Sequence, residues 1–220
     1  MTPAHSTYPC LHCGHQQAVD TFMSINTAAD PSLKAGVLDG SLFVWQCEAC
    51  GQRNLARYET LYHDPEKKLM IWLLPDGSLD ESRMEAISRQ VSALEGYTLR
   101  RVSDTGSLVE KTNIFEAGLD DVVVEMCKWV TRMEMVTETQ KSDPDKAREL
   151  METPFKFYRM DGADNEISLS FPLSGQMMGI KIGFNVYEDC LGIVSRNPSL
   201  RPEEGFACVD AAWIASKLKS

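Results

Sequence analysis

Between Phe155 and Val186 apolar side chains fall at every second position in three runs: Phe155 and Phe157, then Ile167, Leu169 and Phe171, then Met178, Ile180, Ile182, Phe184 and Val186. A two-residue period puts each set on one face of an extended chain, with Asp161-Gly162 and Ser174-Gly175 where turns are needed. Three successive antiparallel strands are predicted. Phe206 to Val209 reads as a further short extended run, and Ala211 to Leu218 as a closing helix.

Upstream of this stretch the period is helical. Ser78-Leu79-Asp80-Glu81 is a capping box, Met84, Ile87, Val91 and Leu94 recur three and four apart, and Gly96 marks the stop. Ser107-Leu108-Val109-Glu110 opens a second, short helix that Gly118 interrupts. Leu119, Val122, Val123, Met126, Trp129, Val130 and Met133 then continue the helical period over a face so wide that the helix must be substantially buried. Between this helix and the strands, residues 137–153 are polar and charge-rich, with Asp143-Pro144 as another helix start, and are expected to link two domains.

The first part of the chain alternates shorter elements. Ala18 to Thr27 has strand period. Asp30-Pro31 starts a short helix, with Asp30 as cap and Pro31 at the first helical position, that ends at Gly40. Ser41 to Gln46 returns as a strand. Asn54 to Tyr62 and Lys68 to Leu74 read as a hairpin around the turn His63-Asp64-Pro65-Glu66, and the unbroken apolar run Leu69 to Leu74 predicts a strand covered on both faces.

Composition changes this picture little. The 220 residues are 43% hydrophobic and 25% charged, enough for one large core or two small ones. The chain lacks both a basic start followed by an apolar run and any stretch near the roughly 20 apolar residues of a membrane span, so a cytoplasmic protein is expected. Charge is more informative. The formal net charge is −10, with 5 Lys+Arg against 8 Asp+Glu in residues 1–77 and 17 against 24 in the remainder. No positive stripe is visible for phosphate neutralisation, which argues against nucleic acid as a partner.

The strongest chemical signal is Cys10-Leu11-His12-Cys13-Gly14 and Cys47-Glu48-Ala49-Cys50-Gly51, spaced C-x2-C-x33-C-x2-C. Each pair can form a tight turn presenting two thiolates, and two such turns complete a tetrahedral shell for one structural zinc with Cys10, Cys13, Cys47 and Cys50 as ligands. A shell made of four protein thiolates has no position left for water or substrate, so the site holds a fold and activates no nucleophile. Seven cysteines, an odd number, fit metal ligation in a reducing compartment better than a disulfide framework. Cys127, Cys190 and Cys208 stand in apolar contexts and are expected to be buried.

Other candidates have simpler explanations. His12 and His15 beside the first turn are surplus to a four-thiolate shell. His63-Asp64 could be a base with its orienting carboxylate, but adjacent residues on a turn seldom face each other, and no nucleophile is marked. Asp120-Asp121 and Glu203-Glu204 suit helix starts or solvent better than a divalent metal. Met177-Met178 offers an adaptable surface, although core filling is the commoner use of methionine. No catalytic residue and no phosphate-binding motif is identified.

The cysteine pairs with Gly14 and Gly51, together with Asp30-Pro31-Ser32-Leu33, Gly40-Ser41-Leu42 and Leu61-Tyr62-His63-Asp64, resemble the CpXC domain of uncharacterised bacterial and archaeal proteins over roughly residues 8–135. The resemblance implies zinc and no established activity. This chain departs from the family in having Leu11 and Glu48 where the family has proline after the first cysteine of each pair.

The sequence thus predicts an α+β protein with three parts: a zinc-ribbon-like domain elaborated by helices at 8–136, a linker at 137–153, and a smaller α+β domain at 154–220 made of an antiparallel sheet and a C-terminal helix. The expected role is a zinc-stabilised protein-interaction or regulatory module, with protein partners and room for a homo-oligomer. The competing readings are a zinc-ribbon nucleic-acid binder and a thiol redox switch or enzyme with an unmarked site.

Overall fold

The computed structural model describes residues 3–75, 86–87 and 95–218. The chain falls into two compact units, the first running to Thr112 and taking in Glu203–Cys208, the second comprising Asn113–Pro202 and the chain from Val209 onward.

In the first unit two small antiparallel hairpins carry the cysteine pairs. Strands β1 (Ala4–Pro9) and β2 (Gln16–Thr21) enclose residues 10–15, and β4 (Val44–Gln46) and β5 (Arg53–Leu55) enclose residues 47–52. A four-stranded mixed sheet has the order β3-β6-β7-β8, from β3 (Ser24–Asn26), β6 (Thr60–Asp64), β7 (Leu69–Leu73) and β8 (Thr98–Val102). As its unbroken apolar run predicts, β7 is buried at every position. Met70, Trp72, Leu74, Leu99 and Phe206 form one core cluster, with Phe206 meeting Trp72 edge-on at 5.3 Å. The predicted β6-β7 hairpin is present.

The two long predicted strands, Ala18 to Thr27 and Asn54 to Tyr62, are each divided. The reason is common to both: the chain changes sheets midway. After Thr21 it leaves β1 and resumes as β3 in parallel with β6, and after Leu55 it leaves β4 and resumes as β6 against β7. Helix α1 (Pro31–Leu38) begins at Pro31 as expected, and the run after Gly40 opens with a single 3-10 turn, Ser41–Phe43, before β4. The capping-box helix predicted at 78–96 lies almost wholly outside the described residues. Helix α2 (Thr105–Glu116) starts ahead of the predicted box, because Asp104 and not Ser107 accepts the orphan N–H, from Ser107 at 2.8 Å.

The second unit is built on α3 (Asp121–Thr139), which packs against α4 (Pro144–Glu152), α5 (Phe184–Arg196), α6 (Ala211–Leu218) and strand β9 (Lys156–Asp161). The predicted three-stranded antiparallel sheet is present, with β10 (Glu166–Leu173) between β9 and β11 (Gln176–Gly183). Its alternating Ile167, Leu169, Phe171 and Leu173 are buried, and Phe171 stacks on Phe155 at 4.3 Å.

The alternation at Phe184 and Val186 was expected to extend the third strand. Instead the chain turns helical at Phe184, because Tyr187 and Cys190 follow at helical spacing and are buried. The segment 137–153, expected as a linker, is largely helical: it holds the end of α3 and all of α4, whose Ala147 and Leu150 are in the core. The compact units divide ahead of it, within α2. The C-terminal helix and the α+β class stand as predicted. Among the described residues no helix is long and apolar enough to cross a membrane.

Candidate metal centre

Both cysteine turns have the same backbone. The N–H of Cys10 donates to the His15 carbonyl at 2.8 Å and that of Gly14 to the Cys10 carbonyl at 2.9 Å; in the second turn Cys47 donates to Gln52 at 2.9 Å and Gly51 to Cys47 at 2.8 Å. Gly14 and Gly51 sit at φ 73° and 72°, a left-handed conformation that a side chain would strain, and that lets each turn close before its returning strand.

The sulfurs of all four cysteines lie within 4.8 Å of one another. Across the hairpins, Cys10 Sγ is 3.6 Å from Cys50 Sγ, and Cys13 Sγ is 3.6 Å from Cys47 Sγ. Four thiolates at about 2.3 Å from a tetrahedral zinc would stand about 3.8 Å apart, whereas a disulfide would bring two sulfurs to about 2.0 Å. The four are free cysteines, and both short cross-hairpin distances are near the first spacing and far from the second. The cluster is therefore geometrically compatible with metal coordination. Cys10 and Cys47 are 2% and 1% exposed, Cys50 is half-buried and Cys13 faces solvent, so the cluster has a covered side and an open side.

The local electrostatics favour a thiolate at Cys10. Burial pushes its thiol up, but hydrogen bonds from the Cys13 and His12 backbone, the Asn54 amide and Cys50 together outweigh this and bring it to about 6. The thiol of Cys50 goes the other way, to about 12, although a backbone hydrogen bond at Gln52 favours its thiolate: burial and the neighbouring Cys13, Cys47 and Cys10 sulfurs prevail. Four sulfurs so close cannot all ionise without a cation among them, which is the condition a metal satisfies.

Two side chains that sequence reasoning missed reach from each hairpin to the opposite cysteine turn. The Asn54 carboxamide, on β5, accepts from the Leu11 N–H at 2.9 Å and donates to Cys10 Sγ at 3.4 Å. The Gln17 carboxamide, on β2, accepts from the Glu48 N–H at 2.9 Å and donates to the Gln46 carbonyl at 3.0 Å. A signal was present: each carboxamide stands seven residues after the first cysteine of its own pair.

The remaining candidates are dispersed. His12 and His15 are exposed, and among the described residues only the four cysteines gather closely enough for a metal. His63 and Asp64 leave β6 on different faces. His63 meets Tyr97 Oη at 3.1 Å and Asn26 Nδ2 at 3.4 Å, while Asp64 takes the Lys34 ammonium at 3.0 Å and the Tyr62 hydroxyl at 3.4 Å. Burial pushes His63 below the ordinary histidine value against the pull of the Asp64 charge. Asp120 caps α3, accepting from Val122 and Val123 N–H, and Glu203 and Glu204 are exposed. Met177 and Met178 lie on the surface of β11 and not in the core. Cys127 and Cys190 are buried neighbours in the second unit, whereas Cys208 is only half-buried.

No curated protein matches the chain, and no solved structure matches it. A family model described as CpXC protein matches residues 8–128, which includes both cysteine pairs and the sheet that follows them. That match covers more than half of the chain, and the protein belongs to the CpXC family.

Proposed function

We propose that Cys10, Cys13, Cys47 and Cys50 hold one structural zinc ion and that the protein is a zinc-stabilised protein-interaction or regulatory module. The observation that carries this reading is the closed set of four sulfurs joining two hairpins that have little apolar surface of their own. Bound there, zinc would supply a fixed tetrahedral cross-link. Outside the cluster, the Leu11 side chain at the tip of the first turn is 88% exposed and Leu55 on β5 is also exposed, apolar positions that suit a protein partner better than a polyanion.

Cobalt substitution tests the closed, structural character of the site. Tetrahedral four-thiolate absorption bands that do not change on adding azide or imidazole are expected. Bands that shift on adding either would mean an exchangeable position and a site open to substrate.

A further inference from the structure

We propose that Gln17 and Asn54 form a reciprocal latch, in which the carboxamide of each hairpin fixes the backbone of the opposite cysteine turn in the shape that gathers the sulfurs. The two residues occupy equivalent places, seven positions after Cys10 and Cys47 respectively. They also take equivalent partners. Asn54 accepts from the N–H of Leu11, the residue after Cys10, and Gln17 accepts from the N–H of Glu48, the residue after Cys47.

The donors show why a latch is needed. Leu11 and Glu48 both have exposed side chains, so packing does not hold either turn at that position. A proline there would fix φ covalently but would have no N–H to donate. With leucine and glutamate the turn is free to rotate, and the N–H groups are available to be held. The second arm of each carboxamide completes the hold: Asn54 is 7% exposed and its Nδ2 reaches Cys10 Sγ at 3.4 Å, while the longer Gln17 reaches past the turn to the Gln46 carbonyl at 3.0 Å. Neither hairpin then keeps its sulfurs in place without the other.

The consequence for metal binding rests on the zinc reading above, whereas the latch itself does not. Side chains that orient ligands in this way alter metal affinity by about 10–100-fold when removed. The test uses the full chain and two variants, Gln17→Leu and Asn54→Leu, with zinc affinity read by chelator competition and amide exchange read by NMR. Gln17→Leu is expected to weaken zinc binding about tenfold and to speed exchange at the Glu48 amide, on the other hairpin, while Leu11 stays protected. Asn54→Leu is expected to do the converse. If the wild-type chain takes up no zinc but this crossed exchange pattern is seen, the latch stands and the zinc reading falls. The latch is overturned if Glu48 exchange is unchanged in Gln17→Leu, or if that variant speeds both amides equally. Because Gln17 is half-exposed, its variant remains informative even if replacing buried Asn54 prevents folding.

Discussion

Asp64 shows how a residue in a recognisable motif can serve structure. Its carboxylate is 1% exposed, and burial pushes its pKa up, but the Lys34 ammonium at 3.0 Å and the Lys67 N–H at 3.2 Å outweigh this and hold it below the usual carboxylate range. A carboxyl depressed in the folded state contributes stability above its unfolded value of about 3.9, and that contribution is lost as pH falls through the folded value. Asp64→Asn should therefore cost about 1–3 kcal/mol at pH 7 and flatten the decline of stability below about pH 4. Denaturant titrations from pH 2 to 7 measure both effects; a variant that loses stability in parallel with wild type down to pH 2 would show that the ion pair is not the cause. The gathering of the four cysteines is legible in the sequence, because C-x2-C spacing carries a geometric requirement. Gln17 and Asn54 were not, because a carboxamide has many uses and its partner here is a backbone N–H on another hairpin, about forty residues away for Asn54.

Among the elements, those with a clear local period are legible in the sequence, and those with an ambiguous or sparse pattern, or that change sheets midway, are not. The three strands β9 to β11, helix α6 and the β6-β7 hairpin follow from alternation, spacing and turn residues within a few positions. Helix α5 was hidden because Phe184 and Val186 continue the strand alternation for one more turn of sequence. In the polar stretch ending in α4 the helix start at Asp143-Pro144 is legible, but with only Ala147 and Leu150, three apart, to carry its apolar face the stretch reads as a linker. Helix α3 has a local cause that can be tested: the Asp120 carboxylate accepts from Val122 N–H at 2.8 Å and Val123 N–H at 3.2 Å. Asp120→Ala is expected to destabilise the protein by about 1 kcal/mol, and Asp120→Asn by less. Equal losses for the two variants in urea unfolding would point to the charge and not the cap. Leu169→Ala, at a buried position in the middle of β10, should cost about 2–5 kcal/mol in the same assay.

For the molecule as a whole, the formal net charge of −10 favours the proposed protein partner over one held by phosphate neutralisation. Anisotropy titrations with duplex DNA or RNA at physiological salt should find no submicromolar complex, and a tight, salt-sensitive one would restore the nucleic-acid reading. Limited proteolysis tests the organisation of the second unit. With Ala147 and Leu150 in its core, Pro144–Glu152 should resist cleavage, and early cutting there would return it to the role of a free linker. The central claim, that four cysteines hold a structural metal, is tested most directly by zinc analysis of the freshly purified chain paired with its melting temperature before and after chelation. The account predicts about one zinc per chain, lost when any one of Cys10, Cys13, Cys47 or Cys50 is replaced by serine, and a lower melting temperature once the metal is stripped. A protein that is purified without zinc, or that melts at the same temperature when stripped, would contradict it.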